Sequence, residues 1–256
     1  MNFARYITAV EDGYLDNPYH NHLHAADVVH NIYYFIRNTA LKGAVISSVD
    51  VFGALIAGAV HDLGHPGTNN QFQVATRSEY AIQYNDRAVL ENFHAARAFM
   101  LMRKHGFDIF EGLPRDLQDE LREVIIDMVI ATDMSVHFSL LSRFQSAIDE
   151  KRSKGWKFFL IFHRHVVPPQ QQSRPSAVLG GGIHFPDLGN PAKPLGLYTK
   201  WTDRVMEEFY RQGDQEKKLG LKVSLMMDRS KPNVERSQIG FIDVIVHPLY
   251  KAFGQL

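Results

Sequence analysis

The sequence predicts an all-α fold, a compact bundle of many helices. Apolar residues recur three and four positions apart along most of the chain, as one face of a helix requires. Proline and glycine fall where such stretches begin and end, and no pair of alternating apolar runs flanks a hairpin turn. With 256 residues, 45% of them hydrophobic, the chain can bury one large core, so we expect a single domain over residues 1–256.

The first two predicted helices differ in character. Residues 23–38 show the amphipathic pattern, whereas residues 49–64 are almost wholly apolar and predict a buried helix. This second helix must stop before Pro66, because the residue preceding a proline is disfavoured in the α conformation. Gly64 permits a sharp exit of the chain.

The remaining helices follow from the same periodicity. Gly106 closes one of them, since glycine readily ends a helix in the left-handed conformation. Pro114 begins the next, with acidic residues in its first turns. These helices cover residues 78–86, 88–106, 114–134, 198–220 and 237–253.

One segment breaks the helical pattern. Residues 151–183 combine a strand-forming apolar patch with a Pro-Pro pair, three glutamines and three glycines. A structureless stretch of this length is unusual inside a compact domain. We interpret residues 151–183 as an anomalous insert or a replaced segment, such as a misread exon boundary would produce.

Composition excludes several function classes. The 28 basic and 28 acidic residues balance, so the chain carries no basic footprint for nucleic acid and no polybasic membrane anchor. No apolar run is long enough to span a membrane. The absence of cysteine fits a cytoplasmic location and requires that any metal site use histidine and carboxylate ligands.

Two histidine clusters carry the chemistry. His61, Asp62 and His65 end the buried helix, where His61 and His65 would share one face, and His20 and His24 would lie one turn apart at the start of another helix. Each cluster alone also fits a simpler interpretation, a helix-end cap or a solvated helix start. A carboxylate buried beside imidazoles is costly unless it is paired or binds a metal. Together the clusters therefore predict a metal pocket of nitrogen and oxygen ligands.

The motifs around these clusters are long and specific. They are "YHNHLHAADVVHN", "HDLGHPGTNNQF", "YNDRAVLENFHAA", "IATDMSVH", "NPAKPLGLYTKWTDRVMEEFYRQGD" and "SQIGFIDVIVHP". With these motifs the chain resembles the catalytic domain of the class I 3′,5′-cyclic nucleotide phosphodiesterases. The similarity covers about residues 5–150 and 184–254 and is greatest to the cAMP-specific branch. The resemblance implies the helical bundle of the HD superfamily and metal-dependent hydrolysis of cAMP, with cGMP possible, to the 5′-monophosphate in signal transduction.

The resemblance also implies two divalent metal ions. His24, His61, Asp62 and Asp187 match the ligands of the first ion, usually zinc. Asp62 would bridge to a second ion, magnesium or manganese, which keeps most of its waters. Two such cations acidify a water and neutralise charge at the reacting phosphate.

Catalytic roles follow by the same resemblance. His20 matches the general acid that protonates the leaving oxygen, a role that suits a side chain titrating near neutral pH. Glu91 matches the carboxylate that orients His20, and His65 matches a histidine close to the bridging solvent. His94 and Asp133 match residues in the shell around the metals, although an aspartate at the end of a helix is as often a cap.

The substrate pocket is implied in the same way. Family members fix the base with a glutamine and hold the purine between an aromatic ring and an aliphatic side chain. For the aromatic and aliphatic positions, ordinary core packing is the competing interpretation. The matching residues are Gln238, Phe241, Asn190, Val205, Tyr19 and Met134.

Three departures from the family pattern affect these expectations. The chain begins late and ends early relative to the family domain, so we expect a partial domain; regulatory domains or an oligomer are expected in a longer protein. Residues 151–183 replace a family helix, and Pro186 predicts extended geometry that misplaces Asp187. The bulky Phe185 would stand near the metals. The alternatives are therefore a catalytically impaired nucleotide-binding domain and another HD-superfamily phosphohydrolase.

Overall fold

The computed structural model describes residues 1–38, 47–154 and 180–254, and every regular element in these ranges is helical. The all-α prediction is therefore confirmed. The helices are α1 (Asn2–Asp12), α2 (His22–Asn38), α3 (Ser48–Val60), α4 (Asn70–Ala75), α5 (Glu79–Gln83), α6 (Val89–Met102), α7 (Arg115–Ile130), α8 (His137–Lys154), α9 (Gly180–Asp187), α10 (Leu195–Lys218), α11 (Val234–Phe241) and α12 (His247–Phe253). Short 3₁₀ turns cover Met134–Val136 and Asn190–Ala192, and a π-helical turn at Ile242–Val246 joins α11 to α12.

Helix α3 lies in the centre of the core. It packs against α2 on one side and α7 on the other, which is why nearly all of its residues are small or apolar. Ser47 begins it with a capping box, in which its hydroxyl accepts the N–H of Asp50 at 3.0 Å and the carboxylate of Asp50 accepts the N–H of Ser47 at 3.1 Å. This capping box fixes the start of α3, and the other end of the helix leads into the site described below.

The boundaries of two predicted helices are wrong at the histidine clusters. Helix α3 ends at Val60, and a turn with Gly64 in the left-handed conformation follows, so His61 and His65 do not share a helical face. Helix α2 begins at His22, so His20 precedes it; the Asn21 side chain accepts the N–H groups of the first turn. Both clusters lie in tight turns at helix ends, where backbone hydrogen bonds hold them.

Helix α9 contradicts the expectation drawn from Pro186. Residues Gly180–Asp187 are helical with Pro186 inside, although this proline removes a backbone donor. Buried Ile183 and His184 and the aromatic contacts of Phe185 hold the helix, which packs against α2 and α7. Phe185 lies against Phe35, Tyr250 and Phe253 with ring centroids 4.2 to 5.0 Å apart. Tertiary packing here overrides local propensity, and Phe185 turns into this aromatic cluster.

Three further helices were not predicted, and other boundaries moved by a few residues. Helices α1, α4 and α8 lay outside the predicted set, and α7 ends at Ile130, four residues before the expected end. Most of the anomalous segment, residues 155–179, lies outside the described residues; its first four residues end α8 and its last four begin α9. Among the described residues no single helix is long and apolar enough to cross a membrane. The bent pair Arg115–Ile130 and Met134–Ser146 would be long and apolar enough only if the two helices are counted together.

Candidate active site

Both histidine clusters contribute to the wall of one cavity of about 660 Å³, through His20, Asp62 and His65. Its wall is built from the turn before α2, the turn after α3, the starts of α4 and α6, the end of α9 and one face of α10 and α11. Segments that are far apart in sequence therefore bring ionisable side chains to one place.

Four donor atoms from three segments converge at the base of this cavity. His24 Nε2 lies 3.2 Å from His61 Nε2, 3.4 Å from an oxygen of Asp62 and 3.0 Å from an oxygen of Asp187. His61 Nε2 lies 3.1 Å from the same Asp62 oxygen and 3.5 Å from Asp187. Asp187 is therefore in place, and the prediction that Pro186 misplaces it is wrong.

This donor set fits a divalent cation. Ligands held about 2.1 Å from zinc lie about 3.4 Å apart in a tetrahedron and about 3.0 Å apart as neighbours in an octahedron, and the distances above are close to these values. His61 Nδ1 donates to the carbonyl of Gly58 at 2.9 Å, which orients the ring so that His61 Nε2 faces the other donors. Burial alone would raise the pKa values of Asp62 and Asp187, but the facing imidazoles outweigh it and lower both, so both carboxylates are ionised.

The other oxygen of Asp62 faces a second group of donors. Asp62, His65 and His94 place ligand atoms within 4.8 Å of one another. His94 Nδ1 donates to the carbonyl of Leu63 at 3.0 Å, which leaves buried His94 Nε2 without a partner among the described residues, 3.8 Å from Asp62. Burial lowers the pKa of His94 to about 4, so its ring is neutral. A lone pair facing a carboxylate fits a second, hydrated cation between them.

His20 is paired with Glu208. His20 Nδ1 contacts one oxygen of Glu208, while the other oxygen accepts the N–H groups of Tyr19 and His20 at 3.0 Å each. Burial alone would lower the pKa of His20, but the Glu208 carboxylate outweighs it and raises the pKa to about 9. His20 also stacks on His65 with ring centroids 3.9 Å apart. His20 is thus a protonated imidazolium at neutral pH, with Nε2 left free of Glu208.

The role predicted for Glu91 is wrong in this structure. Its carboxylate accepts two hydrogen bonds from the amide of Asn70, at 3.1 and 2.9 Å, and burial raises its pKa to about 7. Glu208 occupies the position beside His20 that was expected of Glu91. Sequence reasoning missed Glu208, but helical spacing contained the signal, since Glu208 follows the pocket residues Trp201 and Val205 by about two turns and one turn.

The residues expected to bind the base share the cavity wall. The Tyr198 hydroxyl donates to Oε1 of Gln238 at 2.7 Å, and the amide nitrogen of Asn190 donates to the Tyr19 hydroxyl at 2.6 Å. The other three residues expected to bind the base also line the cavity: Val205, Phe241 and Met134. Val205 and Phe241 are half-buried, and Met134 is 43% exposed.

Asp133 has a structural role that the sequence left open. Its carboxylate accepts the N–H of Ser135 at 2.8 Å and so caps the 3₁₀ turn after α7. It also lies in the cavity wall. The cap interpretation is therefore correct, and a role around the metals stays a prediction.

Comparison with known proteins identifies the family. The family model described as 3′5′-cyclic nucleotide phosphodiesterase matches residues 19–256. This chain belongs to that family. The resemblance inferred from the motifs is thereby confirmed.

Relatives and solved structures agree with this assignment. The chain is 42% identical to a probable 3′,5′-cyclic-AMP phosphodiesterase, pde-4, of Caenorhabditis elegans over 98% of its length and 36% of the relative's. It is 42% identical to isoform F of the Drosophila melanogaster 3′,5′-cyclic-AMP phosphodiesterase over 99% of its length and 37% of the relative's. The chain therefore spans about a third of the length of these relatives. The phosphodiesterase domain of Salpingoeca rosetta rhodopsin phosphodiesterase matches with a TM-score of 0.85 and 31% identity, over 99% of this chain and 73% of that one.

Proposed function

We propose that the chain hydrolyses cAMP to 5′-AMP in cyclic nucleotide signalling. The observation that carries the proposal is the convergence of the four donors of His24, His61, Asp62 and Asp187 with the His20–Glu208 pair in one cavity. The family assignment and the names of the cAMP-specific relatives support the reaction class and the substrate.

We further propose that two divalent cations bind here, zinc at the four donors and magnesium or manganese on the outer oxygen of Asp62. An all-nitrogen and oxygen donor set with ionised carboxylates supports this choice. When bound, such cations acidify water and stabilise negative charge on a phosphate. Neutral His94 and the protonated His20 flank the position of the second ion.

His20 serves as the general acid. Water supplies the oxygen that forms the new bond to phosphorus and releases one proton to solvent, and the bond from phosphorus to the 3′-oxygen breaks. This 3′-oxygen takes a proton from Nε2 of His20, which regains one from solvent after product leaves. Glu208 keeps His20 protonated and oriented, because it accepts from Nδ1 and from two backbone N–H groups. General acid catalysis of this kind contributes about 10²- to 10⁴-fold to a rate.

The two amides favour adenine. Tyr198 engages Oε1 of Gln238, so the amide nitrogen of Gln238 is free to donate to a ring nitrogen. Asn190 uses its amide nitrogen on Tyr19, so its oxygen is free to accept from an amino group. On the side that carries its 6-amino group, adenine offers a ring acceptor (N1 or N7) beside that amino donor, whereas guanine has a carbonyl oxygen at the same 6-position. This complementarity supports cAMP over cGMP as the substrate.

The test is turnover by the purified chain with zinc and magnesium. Cyclic AMP, cyclic GMP, 2′,3′-cyclic AMP and a non-cyclic deoxynucleotide are supplied separately. ³¹P NMR identifies the product, and calorimetry measures the binding of cAMP. We expect 5′-AMP from cAMP, slower turnover of cGMP and none of the 2′,3′ isomer. Binding of cAMP without turnover would favour the impaired nucleotide-binding domain, and turnover of non-cyclic nucleotides alone would favour another HD-superfamily phosphohydrolase. A cytoplasmic location, regulatory domains and an oligomer stay predictions.

A further inference from the structure

Three buried polar side chains follow one face of α10 at intervals of one turn. Glu208, Gln212 and Glu216 are each only 2 to 3% exposed. Residues four apart on a helix lie one above the other, and burying polar groups is costly unless they are hydrogen-bonded. Glu208 serves His20, whereas Gln212 and Glu216 have no part in the chemistry described above.

Gln212 holds the start of α4. Its amide oxygen accepts the backbone N–H of Asn69 at 2.9 Å, and its amide nitrogen donates to the side-chain oxygen of Asn69 at 3.2 Å. The same nitrogen donates to Glu216 at 2.9 Å. Because Glu216 accepts from it, the nitrogen must face Glu216 and the oxygen must face the N–H of Asn69. Glu216 therefore sets the orientation of the Gln212 amide.

Asn69 connects this contact to the cavity. Its side chain caps α4 by accepting the N–H of Phe72 at 2.9 Å. The next residue, Asn70, donates twice to Glu91 and accepts the N–H of Leu90 at 2.9 Å. Asn70 and Glu91 both line the cavity with Asp62. Displacement of Asn69 would thus displace polar groups beside the proposed second cation.

Glu216 holds the loop that follows α10. One oxygen accepts the N–H of Ser224 and the other accepts its hydroxyl, both at 2.7 Å. Met226 of this loop lines the cavity. Gly213, between the two polar residues, approaches the loop so closely that an added Cβ would lie 1.8 Å from the carbonyl oxygen of Met227. The polar face of α10 therefore joins both sides of the cavity wall.

We propose that Gln212 is a positioning residue for the reaction, which fixes Asn70 and Glu91 through Asn69, and that Glu216 orients Gln212 for this purpose. The proposal rests on the proposed function. Neither side chain reaches the substrate. Loss of the Gln212 side chain should lower kcat, because Asn70 and Glu91 beside the reacting phosphate would be disturbed. The amides that bind the base should keep their positions, so KM should stay nearly unchanged.

The experiment compares three variants on α10. Gln212→Met keeps the length of the side chain and removes its hydrogen bonds, and Glu216→Gln removes the charge that orients the amide. Gln215→Met is the matched control, since Gln215 is exposed at the surface of the same helix. Hydrogen exchange of the amides at Asn69–Gln73 is measured together with kcat, KM and thermal unfolding.

We expect Gln212→Met to exchange at Asn69–Gln73 about tenfold faster and to lose about tenfold in kcat, the ratio that one net hydrogen bond supplies. KM should stay within about twofold and Gln215→Met should match the wild type. Glu216→Gln should raise the exchange rate and lower kcat by about threefold each. This variant provides the test if Gln212→Met does not fold. The proposal is overturned if a folded Gln212→Met variant exchanges its Asn69–Gln73 amides at the wild-type rate. It is also overturned if these amides exchange faster while kcat is unchanged. Failure of the wild type to turn over cAMP would instead refute the proposed function, and exchange alone would then decide the positioning role.

Discussion

At the scale of the residue, the identity of the carboxylate beside His20 decides how the acid is held. Glu208 accepts from the ring of His20 and from two backbone N–H groups, so its position is fixed independently of the imidazole. Burial alone would raise the pKa of Glu208, but the charge of His20 outweighs it and lowers the pKa to about 2. An ionised partner in a fixed position keeps the imidazolium protonated.

Replacing this partner should disable the acid selectively. We expect Glu208→Gln to lower kcat for cAMP by about 10²-fold, because the neutral amide neither raises the pKa of His20 nor offers the same acceptor. Glu207→Gln is the control, since Glu207 is half-exposed and its carboxylate pairs with Arg211 and Arg229 at the surface. Steady-state kinetics on both variants checks this. Equal activity of the two variants would contradict the assignment.

The Tyr198 hydroxyl should control base preference. In Tyr198→Phe the Gln238 amide loses the donor that fixes its orientation. We expect the ratio of kcat/KM for cAMP over cGMP to fall about tenfold, as loss of one specifying hydrogen bond implies. Tyr210→Phe is the control, because the Tyr210 hydroxyl, on the same helix, has no hydrogen-bond partner among the described residues. An unchanged ratio in Tyr198→Phe would argue against this role.

The sequence indicated that His24, His61 and Asp62 would converge, but it misjudged the placement of Asp187 and missed Glu208, the carboxylate that pairs with His20. His61 and Asp62 are adjacent and lie in a motif whose turn geometry is local, so their convergence with His24 could be inferred. Glu208 lies nearly 190 residues from His20, and no local signal connects the two. Only the periodicity of α10 placed Glu208 on the face of the pocket residues.

At the scale of the element, α9 shows how packing decides what propensity leaves open. Three glycines and a proline predict no helix over residues 180–187, yet the helix forms between α2 and α7. The buried side chain of Ile183 and the aromatic cluster around Phe185 supply contacts that sequence periodicity could not reveal.

Removing the proline should stabilise α9. We expect Pro186→Ala to raise the free energy of unfolding by about 1 kcal/mol, because alanine restores a backbone donor and removes the clash of the ring with the preceding turn. Pro248→Ala is the control, since Pro248 lies in the first turn of α12, where no donor is needed. Thermal unfolding measures both. A lower Tm for Pro186→Ala would show that the ring is needed for packing.

The contact of α10 with its following loop depends on Gly213. Gly213→Ala places a methyl group against the Met227 backbone, so we expect a loss of about 1 to 3 kcal/mol in the free energy of unfolding. Gly196→Ala tests the same substitution on the same helix, where an added Cβ meets nothing within 4 Å. Denaturant unfolding distinguishes them. Equal stabilities would mean that the loop shifts without cost.

At the scale of the whole molecule, the helices serve to bring three remote segments to one point. The end of α3 is fixed in the core between α2 and α7, and α9 packs against the same pair. His24, the His61–Asp62 pair and Asp187 therefore meet because three buried helices meet. The all-α architecture was predictable from periodicity, whereas the placement of Asp187 depended on tertiary packing that the sequence did not display.

The most direct test of this convergence is the metal content of the chain after zinc loading and gel filtration. We expect about one tightly held zinc per wild-type chain, as four protein donors imply, and loss of that zinc in a folded Asp187→Asn variant. Asp203→Asn, an exposed position on α10, should retain it. Equal zinc in Asp187→Asn and the wild type would contradict the claim that these donors form one metal site.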